Sequence, residues 1–149
     1  MPGVNQMHRR TLLKLGIGAT VILVAAGGGV ALLNPALSDG RLRDSARAVM
    51  HAVARAVLDG ALPPAADEQE KAIEAHLQRL DAAIADFPSA TQAELSQLLA
   101  LLAAAPGRVA LAGLTSAWSQ ASVTQVQASL QGMRLSSLAL KQQAYHALR

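Results

Sequence analysis

Metal binding or acid–base catalysis by this chain would have to come from His8, His51, His76 and His146 together with ten Asp and Glu residues. Cysteine is absent, which removes thiolate catalysis, disulfides and Cys-based metal sites. The histidines show no i,i+4 pairing and no carboxylate at metal-ligand spacing, so each reads as a surface or helix-flank residue. Asp67, Glu68, Glu70, Glu74 and Glu94 sit mainly at the starts of expected helices, where capping and the helix dipole account for them without paired-carboxylate catalysis. No Gly-x-Ser-x-Gly turn is present to hold a serine nucleophile. Gly16-x-Gly18 lacks the third glycine and the preceding strand of a phosphate-cradling turn. The expectation is a chain with no catalytic, cofactor-binding or metal-binding residues of its own.

What remains is a small set of large apolar residues. Trp118, in the run Thr115-Ser116-Ala117-Trp118-Ser119, is the only indole. Its first reading is core. Its second is an interface anchor, where one buried indole contributes about 2 kcal/mol or more. Met133 and Tyr145 fall at helical spacing and read as packing residues before any cofactor is invoked.

These residues must be positioned by helices. Leu42, Ala46, Val49, Met50, Val53 and Val57 recur with a period of about 3.6 residues, a first amphipathic helix that Gly60 and Pro63-Pro64 stop. Asp67 with Glu70 suggests a capping box for a second helix presenting Ile73, Leu77, Leu80, Ile84 and Phe87, ended by Pro88. Thr91 with Glu94 repeats the arrangement ahead of Leu95, Leu98, Leu99 and Leu102, and Pro106-Gly107 closes that helix. The stretch from Arg108 to Gln120 reads as a short helix and a loop. Ser122 with Gln125 caps a helix bearing Val123, Val126, Leu130 and Met133, with a break between Gly132 and Ser137. A last helix runs from Leu138 through Tyr145 and Leu148. No segment alternates over a strand's length, so the expected fold is all-α, an irregular bundle of about five short helices. A domain of this size buries only about 65% of its unfolded surface, and a partner would help it.

Ahead of the bundle stands the run His8-Arg9-Arg10-Thr11-Leu12-Leu13-Lys14, followed by 19 uncharged residues from Leu15 to Leu33. Adjacent arginines, an apolar pair and a lysine before a glycine-diluted apolar segment form the pattern of a twin-arginine export signal, a route that carries folded cargo. The signal residues are Arg9, Arg10, Leu12, Leu13 and Lys14. The apolar stretch is close to the roughly 20 residues that span a bilayer, so it could also act as an anchor helix. Gly16, Gly18, Gly27, Gly28 and Gly29 lower its helix propensity and favour a removable signal. Ala36 and Ser38 offer small side chains for a peptidase cutting after Ser38. This divides the chain into a leader, residues 1–38, and a helical domain, residues 39–149. Without Arg9, Arg10 and Lys14 the 13 basic residues fall to ten and match the ten acidic ones, all of which lie from Asp39 onward. A neutral body with no Lys/Arg block excludes nucleic-acid binding.

The chain resembles the gluconate 2-dehydrogenase subunit 3-like family, the small subunits that accompany periplasmic flavin dehydrogenases. The resemblance rests on His8 to Lys14, on Ala54-Arg55-Ala56-Val57-Leu58-Asp59-Gly60 before a proline turn, on Leu98 to Arg108, and on Leu130-Gln131-Gly132-Met133-Arg134 through Lys141-Gln142-Gln143-Ala144-Tyr145. It implies a non-catalytic subunit that binds a large flavoprotein of the glucose-methanol-choline (GMC) oxidoreductase type, with FAD held by that partner. It also implies that this chain supplies the export signal the partner lacks, and that the complex oxidises an alcohol or sugar and passes electrons to a cytochrome c or a quinone. The expected location is the periplasm, or the periplasmic face of the inner membrane if the leader is retained. The expected contact surface comprises the apolar faces bearing Leu98, Leu102, Trp118, Leu130, Met133, Leu138 and Tyr145.

Overall fold

The computed structural model describes residues 34–149. The signal or anchor helix expected before them lies outside the described residues, as do Arg9, Arg10, Leu12, Leu13 and Lys14. The described chain starts with a hairpin: β1 (Leu37–Ser38) pairs antiparallel with β2 (Arg41–Leu42), Leu37 opposite Leu42 and Ser38 opposite Arg41. The two-residue turn has φ of 51° at Asp39 and 72° at Gly40, the left-handed pair that Asp-Gly adopts at little cost and that matches the twist of the strands. The hairpin is clipped to the helices. Leu42 N–H donates to Asp81 Oδ1 at 2.8 Å and Leu37 N–H to Ser96 Oγ at 3.3 Å, while Arg43 N–H closes back on the Ala36 carbonyl at 2.9 Å. These strands depart from a body expected to have none; at two residues each they are too short for alternation to register.

Six helices follow among the described residues, and the body is mostly helical as expected. They are α1 (Asp44–Val57), α2 (Ala66–Ala85), α3 (Ser89–Ala103), α4 (Ala105–Gly107, continued by a π-helical turn over Arg108–Ala112), α5 (Val123–Arg134) and α6 (Ala139–Leu148). Helix α1 lies at the centre, in contact with α2, α3 and α5. Its stripe of Ala46, Val49, Met50 and Val53 is widened by buried Ala52, Ala54 and Ala56, whose small side chains let neighbouring backbones approach. Val57 belongs to the expected stripe but is exposed, since it is the last residue of the helix. Leu58 caps the helix and Gly60, at φ 81°, turns the chain away.

Helix α2 buries Ile73, Leu77 and Ile84. The expected capping box does not form there, because the helix starts at Ala66 and places Asp67 inside the first turn, where its charge faces the N-terminal dipole. Thr91 likewise falls inside α3, whose N-cap is Pro88. Phe87 lies beyond the end of α2 and is exposed rather than part of its apolar face. Gln92 Nε2 donates to the Ala85 and Phe87 carbonyls, which the end of α2 leaves unpaired.

Arg47 of α1 bridges two turns of α2. Its Nη2 meets Glu74 Oε1 at 2.5 Å and its Nη1 meets Asp81 Oδ2 at 3.1 Å. Partial burial works against the charge of Arg47, but hydrogen bonds and attraction from Glu74 and Asp81 outweigh it and hold the guanidinium above its ordinary pKa. Asp81 thus serves both the hairpin and the α1–α2 contact.

Between α3 and α4 the helix axis turns through 85°. Ala104 is extended, with ψ of 139°, and Pro106 starts the next turn. Pro106-Gly107 therefore closes α3, as expected, and also lies in the first turn of the next helix. Gly107 crosses so close to the preceding helix that a Cβ would lie 1.9 Å from the Leu101 carbonyl oxygen. No single helix among the described residues is long and apolar enough to cross a membrane. Because the obstacle at Gly107 is backbone, Gly107→Ala is expected to lower the unfolding free energy by about 3 kcal/mol, seen as a lower urea midpoint for the full chain. An unchanged midpoint would mean that the elbow yields freely.

Candidate functional site

Helix α5 organises the surface of the C-terminal half. Ser122 and Gln125 form the reciprocal capping box expected from the sequence: Gln125 N–H donates to Ser122 Oγ at 3.2 Å, and Ser122 N–H to Gln125 Oε1 at 2.8 Å. Further along, the buried Ser129 hydroxyl donates to the Ala112 carbonyl at 2.5 Å, tying α5 to the end of the π turn. Arg108 holds the following loop, donating from Nε to the Leu114 carbonyl at 3.2 Å and from Nη2 to the Thr115 carbonyl at 3.3 Å. π-Helical turns are uncommon and recur at functional sites. Here the turn, its loop and α5 enclose a groove of about 400 Å³ whose lining includes Gly113, Thr115, Gln125, Ser129, Gly132, Met133 and Lys141.

On the opposite flank of α5 a second groove, about 360 Å³, is lined by Val57, Gln127, Leu130, Gln131, Arg134, Tyr145 and Arg149. Gln127 ties its edge to α1 by donating to the Ala56 carbonyl at 3.0 Å, and Arg149 Nη1 donates to the Tyr145 hydroxyl at 2.6 Å. The corner joining α5 to α6 presents Leu135 and Leu138, the two most exposed large apolar residues among those described, at 67% and 59%. The corner is built locally: Leu138 N–H donates to Ser136 Oγ at 3.1 Å, and Gln142 Nε2 to the Ser136 carbonyl at 2.8 Å. Two leucines are thereby held outward by a hydrogen-bonded turn.

The seven residues expected to make the contact surface separate into two groups. Leu98, Leu102, Trp118, Leu130, Met133 and Tyr145 are buried in the core of this chain, and only Leu138 is exposed. Trp118 follows its first reading: its indole N–H donates to the Leu102 carbonyl at 2.8 Å. In an uninterrupted helix that carbonyl would pair with the N–H of residue 106, which is proline and has none. The indole occupies the vacated position.

Leu135 is not one of the seven named contact residues, although it lies within the candidate stretch from Leu130 to Leu138 and in the anticipated helix break. Its signal was the pair of leucines flanking Ser136-Ser137, since residues in a break leave the buried helical stripe. Charge adds a second signal. From Leu95 to Arg149 there is no acidic side chain, and Arg108, Arg134, Lys141 and Arg149 are the charged residues of that span. The neutral body is therefore divided into an acidic N-terminal part and a cationic C-terminal part, with both grooves and the leucine corner on the cationic side. Among the described residues no group of three His, Asp or Glu side chains is placed to hold a metal ion. His51 does meet a carboxylate, with Nε2 at 3.0 and 3.1 Å from the two Glu70 oxygens, a contact between α1 and α2 that spacing along one helix could not reveal.

Comparison with protein-family models, curated proteins and solved structures found no match to this chain. The role of Trp118 can be measured directly. Trp118→Phe keeps most of the ring and removes the donor, so the buried Leu102 carbonyl loses its partner and the unfolding free energy is expected to fall by about 1–3 kcal/mol. Equilibrium denaturation followed by circular dichroism reads this; a stability equal to wild type would show that water replaces the indole.

Proposed function

We propose that this chain is a non-catalytic accessory subunit that binds a flavin-dependent alcohol or sugar dehydrogenase in the cytoplasm, stabilises it, and escorts it through the twin-arginine translocon to the periplasm. The observation that carries the reading is the run from His8 to Lys14 ahead of the apolar stretch Leu15 to Leu33, a signal for folded cargo on a chain whose residues suggest no chemistry of their own. The resemblance to gluconate 2-dehydrogenase subunit 3-like proteins supplies the partner's class: a GMC-type flavoprotein that holds FAD and delivers electrons to a cytochrome c or quinone. The exposed Leu135–Leu138 corner, next to Arg134 and Lys141, supports a docking role, since outward leucines set among cations suit a partner surface that is apolar at its centre and acidic at its rim.

A second reading is an uncleaved, membrane-tethered adaptor that keeps the dehydrogenase at the inner membrane. The hairpin at Leu37–Leu42 favours it, because the folded body begins within a few residues of the apolar stretch.

The test is an export assay with the chain and its candidate flavoprotein co-expressed. Replacing Arg9 and Arg10 by Lys is expected to empty the periplasmic and membrane fractions of dehydrogenase activity and to retain it in the cytoplasm; activity that still reaches the membrane would sink the escort reading. Binding is tested separately. Leu135→Glu and Leu138→Glu are expected to leave the stability of the chain within about 0.5 kcal/mol of wild type while weakening its affinity for the flavoprotein by about tenfold or more, a loss of about 1.4 kcal/mol. Unchanged affinity in a pull-down titration would place the docking surface elsewhere.

A further inference from the structure

The small residues that a signal peptidase would need sit inside the folded domain. A peptidase cutting after Ser38 reads the side chains at −3 and −1, here Ala36 and Ser38, which share one side of an extended strand. Ala36 has no exposed surface. Its carbonyl accepts from Arg43 N–H at 2.9 Å, and the next amide, Leu37 N–H, is taken by Ser96 Oγ at 3.3 Å. The Ser38–Asp39 bond itself enters the hairpin turn, where Asp39 has φ of 51° and is not extended. To present Ala36 and Ser38 together, the hairpin must unpair and lift off α2 and α3.

We propose that this hairpin is a processing lock: once the domain has folded, the Ser38–Asp39 bond is closed to the peptidase and the leader stays covalently joined to the body. The order of events matters here. A chain exported already folded reaches the peptidase with the hairpin formed, whereas a chain threaded unfolded would present the same residues freely. The proposal rests on the reading of residues 1–38 as a leader, and extends it: Leu33 ends the apolar stretch and Ala36 is already buried, so a retained leader holds the domain close against the bilayer.

The experiment uses the purified full chain in detergent with a bacterial signal peptidase, reading by mass spectrometry the appearance of a product that begins at Asp39. Three substrates are compared: the folded chain, a synthetic peptide spanning residues 30–44, and Gly40→Val. Valine at Gly40 is strained by the φ of 72°, and its Cβ would lie 2.9 Å from Ala85 Cα, so the hairpin opens. The peptide is expected to be cut at Ser38–Asp39, the folded chain to resist, and Gly40→Val to be cut at least tenfold faster than wild type. If Gly40→Val fails to fold, Ser96→Ala takes its place: it removes only the acceptor of Leu37 N–H and is expected to raise cutting severalfold in a folded chain. The proposal is overturned if the folded chain is cut as fast as the peptide, if the peptide itself is refractory, or if a folded hairpin variant is cut no faster than wild type. No translocon or flavoprotein enters this assay, so its outcome is independent of the Arg9 and Arg10 export test.

Discussion

A missing hydrogen-bond donor shapes the C-terminal half of this protein. Pro106 cannot pair with the Leu102 carbonyl, so α3 cannot run on, and the axis swings through 85° into α4. A buried carbonyl without a partner would make that break costly. The indole of Trp118, returning from a loop 16 residues later, removes the cost by donating to Leu102. The same return brings the chain back to start α5, which then packs across α1. Gly107 completes the constraint, since only a residue without Cβ passes the Leu101 carbonyl at that distance. Proline, glycine and tryptophan thus form one unit: the first breaks the helix, the second permits the sharp crossing, and the third satisfies what the break exposes.

The two halves of the body are held by different means. Between α1 and α2 the ties join side chain to side chain: Arg47 forms ion pairs with Glu74 and Asp81, and the His51 ring nitrogen lies within hydrogen-bond distance of the Glu70 carboxylate. These pairs are partly exposed, so water screens them and they align the helices more than they stabilise them. From α3 onward the ties are hydrogen bonds to backbone carbonyls, at Leu102, Ala112, Leu114 and Thr115, and among the described residues no carboxylate forms an ion pair with Arg134, Lys141 or Arg149. Arg134 and Arg149 donate instead to neutral acceptors, Gln131 Oε1 at 3.1 Å and the Tyr145 hydroxyl at 2.6 Å, so their charges are not neutralised by an ion pair among the described residues. The leucine corner lies in the same half, next to Arg134 in sequence.

Local signals were the most legible in the sequence. The 3.6-residue stripe of α1, the apolar faces of α2 and α3, the Ser122–Gln125 capping box and the break before α6 all appear close to where their residues place them. Asp67 and Thr91 match the capping pattern without capping, because a side chain two or three residues inside a helix fits the same pattern as one at its N-cap. The candidate contact residues were harder still. Periodicity identifies a residue such as Leu130 or Met133 as apolar and helical, but whether its stripe faces this chain or a partner depends on how the helices are assembled, and the 85° elbow settles that from a distance. Leu135 and Leu138 stand out once the corner between α5 and α6 is seen, since no other element among the described residues covers them.

Trp118 has a spectroscopic consequence. As the chain's only indole, it is responsible for essentially all emission excited at the red edge of protein absorption, and that emission comes from one ring in a dry, hydrogen-bonded position at the elbow. The protein therefore carries a built-in optical probe of a single joint. A red shift on unfolding or on partner binding reports water reaching the Trp118 indole, while rearrangements confined to the hairpin or to the side-chain contacts between α1 and α2 stay spectrally silent.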